Sequence, residues 1–417
     1  QAALARTSFD PASAPRYHAA MATRRTYYER PGLDALVSRV TRRLELDGKP
    51  AAVLAESVFY PEGGGQPADL GFVDGIPVVD AIELGDEVAV ILERPLPEGA
   101  ESVACLLDSP RRRDHAQQHT AQHLLSAVIL RLLGGSTVSF HLGEDYSSID
   151  VDLPAMDASD ITAVEAEIER VILDEYPIRV HVCPPENSED FPLRKRPPAG
   201  EETLRIVEID GLDYSPCCGT HLEHTGRIRA FRIIKAEKYK GMTRVYFLAG
   251  DRAVSDWKRL AALARVLART FACSEDELSG KSLQQKERLA ALESSLASMV
   301  RERAALEAEL ASKDEGAGGT GCRVFRWADR PIAEILETVK AVSLKLGSPV
   351  LGSSAAELKV AVAAPAPDAR LGERLKPLAA ASGGKGGGGP TQFQAAFDDA
   401  ASLEAFVKAA VGKLGDA

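Results

Sequence analysis

Gln118-His119-Thr120-Ala121-Gln122-His123-Leu124-Leu125 is the stretch from which the rest of this chain is best read. Two histidines four residues apart share one face of a helix, and the apolar residues Leu124, Leu125, Ala127, Val128, Ile129 and Leu130 predict a helix over 116–133. Both imidazoles then point at one place. Far downstream, Pro216-Cys217-Cys218-Gly219-Thr220-His221 offers a thiol and an imidazole at the same spacing, around a glycine where a tight turn is expected. His119, His123, Cys217 and His221 together make a four-ligand nitrogen and sulfur set suited to tetrahedral zinc. Neither half carries that reading alone, because His-x-x-x-His recurs by chance in ordinary core and surface helices.

The chain has 417 residues, more than one ordinary core accommodates, and about two to four domains are expected. Hydrophobic residues at 45% and charged ones at 27% fit a soluble globular protein. Apolar stretches are broken by charge or proline before membrane-spanning length, and no segment has the build of a secretory signal, so a cytoplasmic location is expected. The six cysteines are irregularly spaced, which fits metal binding in a reducing compartment and not a disulfide framework. Cys105, Cys183, Cys273 and Cys322 read as ordinary thiols.

The net charge of −11 argues against a protein that coats nucleic acid without specificity. It is compatible with a local RNA groove. Basic clusters at Arg111-Arg112-Arg113, Arg194-Lys195-Arg196, 227–235 and 235–244 are candidates to line one, and each reads equally as a solvated basic face.

The predicted fold class is α+β. Residues 1–20 read as an extension ahead of Met21. Residues 21–109 carry short strands at 51–60, 71–73, 76–84, 87–92 and 103–107, the spacing of a small β-barrel. Within it Tyr60-Pro61-Glu62-Gly63-Gly64-Gly65-Gln66-Pro67 has two readings: a tight structural loop, or a backbone in which Gly63, Gly64 and Gly65 approach a partner closely. Residues 110–255 mix helices (116–133, 158–174) with strands (146–153, 178–183, 204–209, 227–236, 243–249) and hold both halves of the ligand set. In the helical segment 256–313, Leu289, Leu292, Leu296, Met299, Arg303, Leu306 and Leu310 form a heptad seam, for an intramolecular hairpin or a homodimer.

A glycine-rich linker at 315–321 leads into an α/β domain over 314–417, with helices at 330–346, 368–381 and 401–413 and strands at 322–326, 350–353 and 358–364. Its run Gly383-Gly384-Lys385-Gly386-Gly387-Gly388-Gly389-Pro390 reads as a disordered tether or as a backbone contact to phosphate or RNA with Lys385 as the charge.

His119-x-x-x-His123, Cys217-x-x-x-His221 and the glycine motif Phe-Tyr-Pro-Glu-Gly-Gly-Gly-Gln at 59–66 resemble the AlaX family, the free-standing relatives of the alanyl-tRNA synthetase editing domain. The segment 240–250, Lys-Gly-Met-Thr-Arg-Val-Tyr-Phe-Leu-Ala-Gly, is similar to the part that closes that domain. The heptad helices and the C-terminal glycine run are similar to the synthetase's C-terminal RNA-binding domain, which the long AlaX class also carries. The resemblance covers nearly the whole chain after Met21. It implies hydrolysis of the ester joining serine or glycine to the tRNA for alanine, with Ala-tRNA spared, zinc as cofactor, and tRNA as partner.

Two positions depart from that pattern. Gln122 stands where threonine often precedes the second histidine, and Cys218 replaces a glycine beside the matched ligand Cys217. Accepting serine while sparing alanine calls for a group that hydrogen-bonds the serine hydroxyl; Gln122 and Thr220, the polar side chains nearest the ligands in sequence, are the candidates. Lys240 and Arg244 are candidate RNA contacts, with structural ion pairs as the alternative. Asp114, His115, Gln118 and His141 are candidate supporting groups, and His224 is an alternative ligand.

Four protein ligands close a tetrahedral shell. Three routes remain: the ion expands its coordination, it releases a ligand, or it orients the substrate's α-amino group while another group activates water. Two other readings compete with the editing enzyme. One is a tRNA-binding protein stapled by zinc without catalysis; the other, a metallopeptidase, lacks the glutamate between the histidines that would serve as its base.

Overall fold

The structure is a computed structural model describing residues 22–197, 202–313 and 321–415. The extension expected over 1–20 and nearly all of the linker expected over 315–321 lie outside the described residues. The chain forms two compact units, residues 1–263 and 264–417, and both mix helices with sheets.

In the first unit, Ala35–Leu46, Lys49–Leu54, Glu87–Leu92, Ile76–Leu84, Gly71–Val73 and Ser102–Leu107 pair in that order, and Ser102–Leu107 returns to pair with Ala35–Leu46. The ring has no free edge. Alternation does the rest: Ser102–Leu107 points Val103, Cys105 and Leu107 inward against Leu54, Val73, Ile76 and Val90, and its other residues outward. The long strand Ala35–Leu46 was not expected. Its charges at Arg39, Arg42 and Arg43 and a register shift between Val40 and Arg42 break the alternation by which strands are recognised.

The helix predicted over 116–133 runs over Ser109–Leu133. Asp108 caps its N-terminus by accepting from the Arg111 amide, Pro110 sits in its first turn, and Gly134 ends it at φ 73°. From His115 to Ile129 every residue is buried, so this helix has no water-facing side in its middle. One flank packs Leu124, Leu125, Val128 and Ile129 into a core shared with Ile149, Val164, Ile168, Val245 and Phe247.

That core is covered by a four-stranded sheet, in the order Phe231–Tyr239, Met242–Ala249, Ser147–Val151 and Thr137–Leu142, and by the helix Ala158–Leu173. Asp157 and Asp160 form a reciprocal capping box at the start of Ala158–Leu173. A three-stranded sheet, Ile178–Cys183, Leu204–Ile209 and Asp213–Pro216, delivers the chain directly to Cys217. The Arg111-Arg112-Arg113 cluster is not a uniform basic face: Arg112 is buried and its Nε donates to Asp69 at 2.9 Å, pinning the helix to the barrel.

In the second unit the helix Leu278–Lys313 buries Ala304, Ala308 and Ala311 in a core with Ile335, Val339 and Val342 of the helix Ile332–Leu346. The heptad seam does not make this packing. Leu289, Leu292, Leu296, Met299, Leu306 and Leu310 are all exposed, while Arg303 pairs with Glu334. The sheet runs Arg323–Trp327, Val350–Ser354, Lys359–Ala363, Gln392–Ala396 and Lys385–Gly388, with helices Leu371–Ala381 and Ala400–Gly415 packed on it.

The core of the glycine run, Lys385–Gly388, is not a disordered tether. It is an edge strand paired antiparallel with Gln392–Ala396, and Lys385 begins it. Glycine is required by close approach: a Cβ on Gly388 would stand 2.1 Å from the Gln392 carbonyl oxygen, and one on Gly386 would stand 2.6 Å from the Phe393 ring.

Candidate metal centre

The helix Ser109–Leu133 carries His119 and His123 on one face, and the segment after Asp213–Pro216 brings Cys217 and His221 against them. One ligand atom from each of the four lies within 4.8 Å of all the others. Cys217 Sγ is 3.3 Å from both His119 Nε2 and His221 Nε2. Metal–ligand bonds of about 2.0–2.3 Å in a tetrahedron give ligand–ligand edges of about 3.3–3.7 Å, which the two Cys217 distances match. His119 and His123 are buried, whereas Cys217 and His221 are half-buried, which leaves the cluster approachable from the thiol side.

The other nitrogen of each ring is already engaged. His119 Nδ1 lies 2.9 Å from Gln66 Oε1, an oxygen that also accepts from the Thr220 amide at 3.1 Å. An amide N–H can only donate, so Gln66 presents its oxygen there and the His119 proton sits on Nδ1. His123 Nδ1 donates to Asp213 Oδ2 at 2.9 Å, and His221 Nδ1 lies 3.3 Å from the Thr120 hydroxyl, which also accepts from the Leu222 amide. In His119 and His123 these bonds leave Nε2 turned to the ion, the arrangement typical of metal-bound histidines.

Electrostatics favour a thiolate at Cys217 and a neutral His221. Burial alone would raise the Cys217 thiol, but the surrounding imidazoles of His119, His123 and His221 outweigh it and hold the thiol well below its ordinary value. Burial pushes His221 down to about 3, so it is neutral. Asp213 would also be raised by burial; the bond from His123 and the charge of Arg194 reverse this and hold it at about 2. His123 goes the other way from His221: burial lowers it, but the Cys217 and Asp213 charges outweigh burial and raise it, so a metal must displace its proton to gain the thiolate-and-neutral-imidazole state that binding requires.

Gly219 makes the approach feasible. A Cβ there would lie 2.0 Å from the His119 ring, so only glycine lets the Cys217 turn close over that imidazole. Cys218 is exposed and outside the cluster, and its carbonyl accepts from the Tyr28 hydroxyl at 2.6 Å. His224 is likewise outside the cluster, and its backbone pairs with that of Pro177.

The remaining expected site residues are placed differently. Gly63, Gly64 and Gly65 form a tight turn closed by Gly63 and Gln66 bonding each other's backbone at 3.1 and 3.0 Å, with Gly64 and Gly65 at φ 58° and 81°. The turn aims Gln66 at His119. Thr220 is buried, and its hydroxyl accepts from Gln66 Nε2 at 2.9 Å. Gln122 is buried too, with its amide nitrogen donating to Ser126 at 2.8 Å.

Lys240 sits with Gly241 in the turn of a hairpin, and Arg244 makes a two-point pair with Asp150 at 2.6 and 2.8 Å beneath Tyr239. Neither bonds to the cluster among the described residues. Gln118 spans from Asp114 to the Ala249 backbone. Arg194, expected in a basic cluster, donates to Asp213 at 2.7 Å and to Ser215 at 2.9 Å.

Sequence reasoning missed Asp213, Thr120, Arg194 and Gln66 as supports of the ligands. Gln66 stood within the quoted glycine motif, a usable signal. Asp213 had none, since its partner His123 is brought to it only by the fold.

Residues 204–246, which include Cys217 and His221, match the threonyl and alanyl tRNA synthetase second additional domain. Cys217 and His221 thus lie in a segment similar to a synthetase-type accessory domain, and His119 and His123 lie outside the matched residues. Alanyl-tRNA editing protein Aarsd1 of Rattus norvegicus is 31% identical over 279 residues, covering 64% of this chain and 68% of that protein. The chain belongs to the AlaX and Aarsd1 family of alanyl-tRNA editing proteins.

Alanyl-tRNA editing protein Aarsd1-B of Xenopus laevis is 34% identical over 221 residues, 51% of this chain and 53% of its own length. Alanyl-tRNA editing protein AlaX-L of Pyrococcus horikoshii is 33% identical over 244 residues, 55% and 59% respectively. The chain spans little more than half the length of these last two relatives.

Proposed function

We propose that this chain is a trans-editing aminoacyl-tRNA deacylase that hydrolyses serine or glycine from mischarged tRNA for alanine and spares Ala-tRNA. One observation carries the reading: four convergent ligands, His119, His123, Cys217 and His221, with the second nitrogen of every imidazole already held, in a chain of this family. Zinc is the metal the donor set favours, and when bound it supplies a Lewis-acid charge beside the reacting ester.

The chain's own residues divide the remaining work. Gln66, Asp213 and Thr120 fix the imidazoles, and Arg194 holds Asp213 charged. Thr220 accepts from Gln66, so its own hydroxyl proton remains to donate to a substrate hydroxyl; this bond is the proposed basis for accepting serine over alanine. Gln122, its nitrogen engaged by Ser126, contributes through its carbonyl oxygen. Gly63, Gly64 and Gly65 act on the substrate through the turn that aims Gln66. Lys240, Arg244 and Lys385 are the proposed RNA contacts, with phosphate binding fixing position and not sequence.

The test is release of serine from purified Ser-tRNA and of alanine from Ala-tRNA by the same preparation, with His123→Ala as the control. The reading expects fast loss of serine, slow loss of alanine, and neither in the variant. A metal-loaded chain that binds tRNA yet releases neither amino acid would instead be a zinc-stapled tRNA-binding protein.

A further inference from the structure

The turn that carries Cys217 is held from outside by two side chains that are not ligands. Its three successive carbonyls, at Cys217, Cys218 and Gly219, all accept side-chain hydrogen bonds. Arg205 Nη1 donates to Cys217 at 2.7 Å and to Gly219 at 3.1 Å, one bond for each of its two hydrogens. The Tyr28 hydroxyl donates to Cys218 at 2.6 Å. The Arg205 guanidinium lies 4.6 Å from the centre of the Tyr28 ring, a cation–π contact that joins the two donors into one unit.

Two of these outer bonds have a counterpart inside. In a trans peptide the carbonyl and the amide of one plane point in opposite directions, so a donor that fixes the oxygen also aims the hydrogen. Holding the Cys218 carbonyl aims the Gly219 amide, which donates to Cys217 Sγ at 3.3 Å. Holding the Gly219 carbonyl aims the Thr220 amide, which donates at 3.1 Å to Gln66 Oε1, the oxygen that lies 2.9 Å from His119 Nδ1. The inner bonds are also strengthened, because each donating peptide is polarised from its far side.

The two donors reach the turn from different parts of the fold. Arg205 belongs to Leu204–Ile209, and its own carbonyl accepts from the Cys217 amide at 2.9 Å, so one residue grips the ligand by backbone and side chain together. Tyr28 is fastened to the barrel side: Arg24–Arg25 pair with Glu56–Ser57, the Thr26 hydroxyl donates to the Ser57 carbonyl at 2.6 Å, and the Tyr27 ring meets the Tyr28 ring edge-on at 4.5 Å. Arg205 and Tyr28 are only partly buried.

We propose that Tyr28 and Arg205 are positioning residues for the Cys217 half of the centre, setting the turn so that its amides meet Sγ and Gln66 while the sulfur meets the ion. The inference rests on the metal reading of the cluster. It gives residues 24–28 a part in the chemistry, as the barrel's hold on the cysteine turn.

Cobalt(II) is the probe, because unlike zinc it absorbs visibly and its thiolate charge-transfer band reports how the sulfur meets the ion. It is titrated into chelator-treated full chain against a competing dye. Arg205→Met, which keeps a long side chain and loses both bonds, is expected to weaken cobalt binding about 10- to 100-fold and to shift or diminish the thiolate band. Arg205→Lys, which keeps donors, is expected to recover part of that loss. Tyr28→Phe keeps the ring over Arg205 and loses only the bond to Cys218; about two- to tenfold weakening is expected, and this variant carries the test where Arg205→Met fails to fold. Tyr28→Phe with the affinity and spectrum of the unaltered chain overturns the proposal, as does a loss of affinity matched by a drop in the thermal unfolding midpoint of the metal-free protein. Serine release is measured on the same samples: cobalt binding weakened in the variants, with no serine released by the unaltered chain, keeps the positioning role and overturns the deacylase reading.

Discussion

Gly219 and Asp213 show how much of the centre depends on residues that are not ligands. A Cβ at Gly219 would occupy the space of the His119 ring, so Gly219→Ala is expected to lower the metal content of purified protein sharply, read by elemental analysis, with the rest of the fold intact by circular dichroism. Asp213→Asn keeps the shape but removes the carboxylate that orients His123. Metal affinity is expected to fall about 10- to 100-fold, measured by competition with a chelating dye.

Cys105 gives the corresponding pH prediction. Burial, with Asp74 adding to it, pushes its thiol from 9.0 up to about 12. Because the folded value is raised, the stabilisation is complete below pH 9 and is lost as pH climbs towards 12. At pH 8 the exposed Cys218 is expected to be alkylated in native protein, and Cys105 only after unfolding.

Elements were legible where their periodicity was clean and illegible where tertiary contacts overrode it. The ligand helix announced itself through His119, His123 and the leucines after them, although its first turn was hidden because Asp108 and Pro110, not apolar spacing, define it. The run Lys385–Gly388 has no side-chain alternation at all, and only pairing with Gln392–Ala396 makes it a strand. Of the two readings of the heptad seam, the intramolecular hairpin does not use it, and a homodimer through the exposed seam stays a proposal. In Leu278–Lys313 the small residues Ala304, Ala308 and Ala311 make the close contact, and the leucines face outward.

A direct contrast follows at this scale. Ala308→Leu overfills a buried contact and is expected to cost about 1–3 kcal/mol in denaturant unfolding, whereas Leu296→Ala at an exposed position is expected to change stability by less than about 0.5 kcal/mol.

For the whole molecule, the sequence revealed the four ligands because spacing on a helix and around a turn is local information. It did not reveal why they hold together, because Gln66, Asp213 and Thr120 reach their histidines across 53, 90 and 101 residues of chain. No helix among the described residues is long and apolar enough to cross a membrane. The barrel and the ligand helix are coupled by the buried Asp69–Arg112 pair, and the glycine turn that carries Gln66 belongs to the segment just before Asp69. Barrel and centre therefore work as one site.

The central proposal is that hydrolysis of the mischarged ester requires a metal, which His119, His123, Cys217 and His221 would hold. The most direct measurement is serine release from Ser-tRNA as zinc is returned stepwise to chelator-treated protein. The account predicts activity that rises in proportion to bound zinc and levels off at about one ion per chain, with Cys217→Ser neither retaining the ion nor recovering activity. Full serine release by metal-free protein would contradict it.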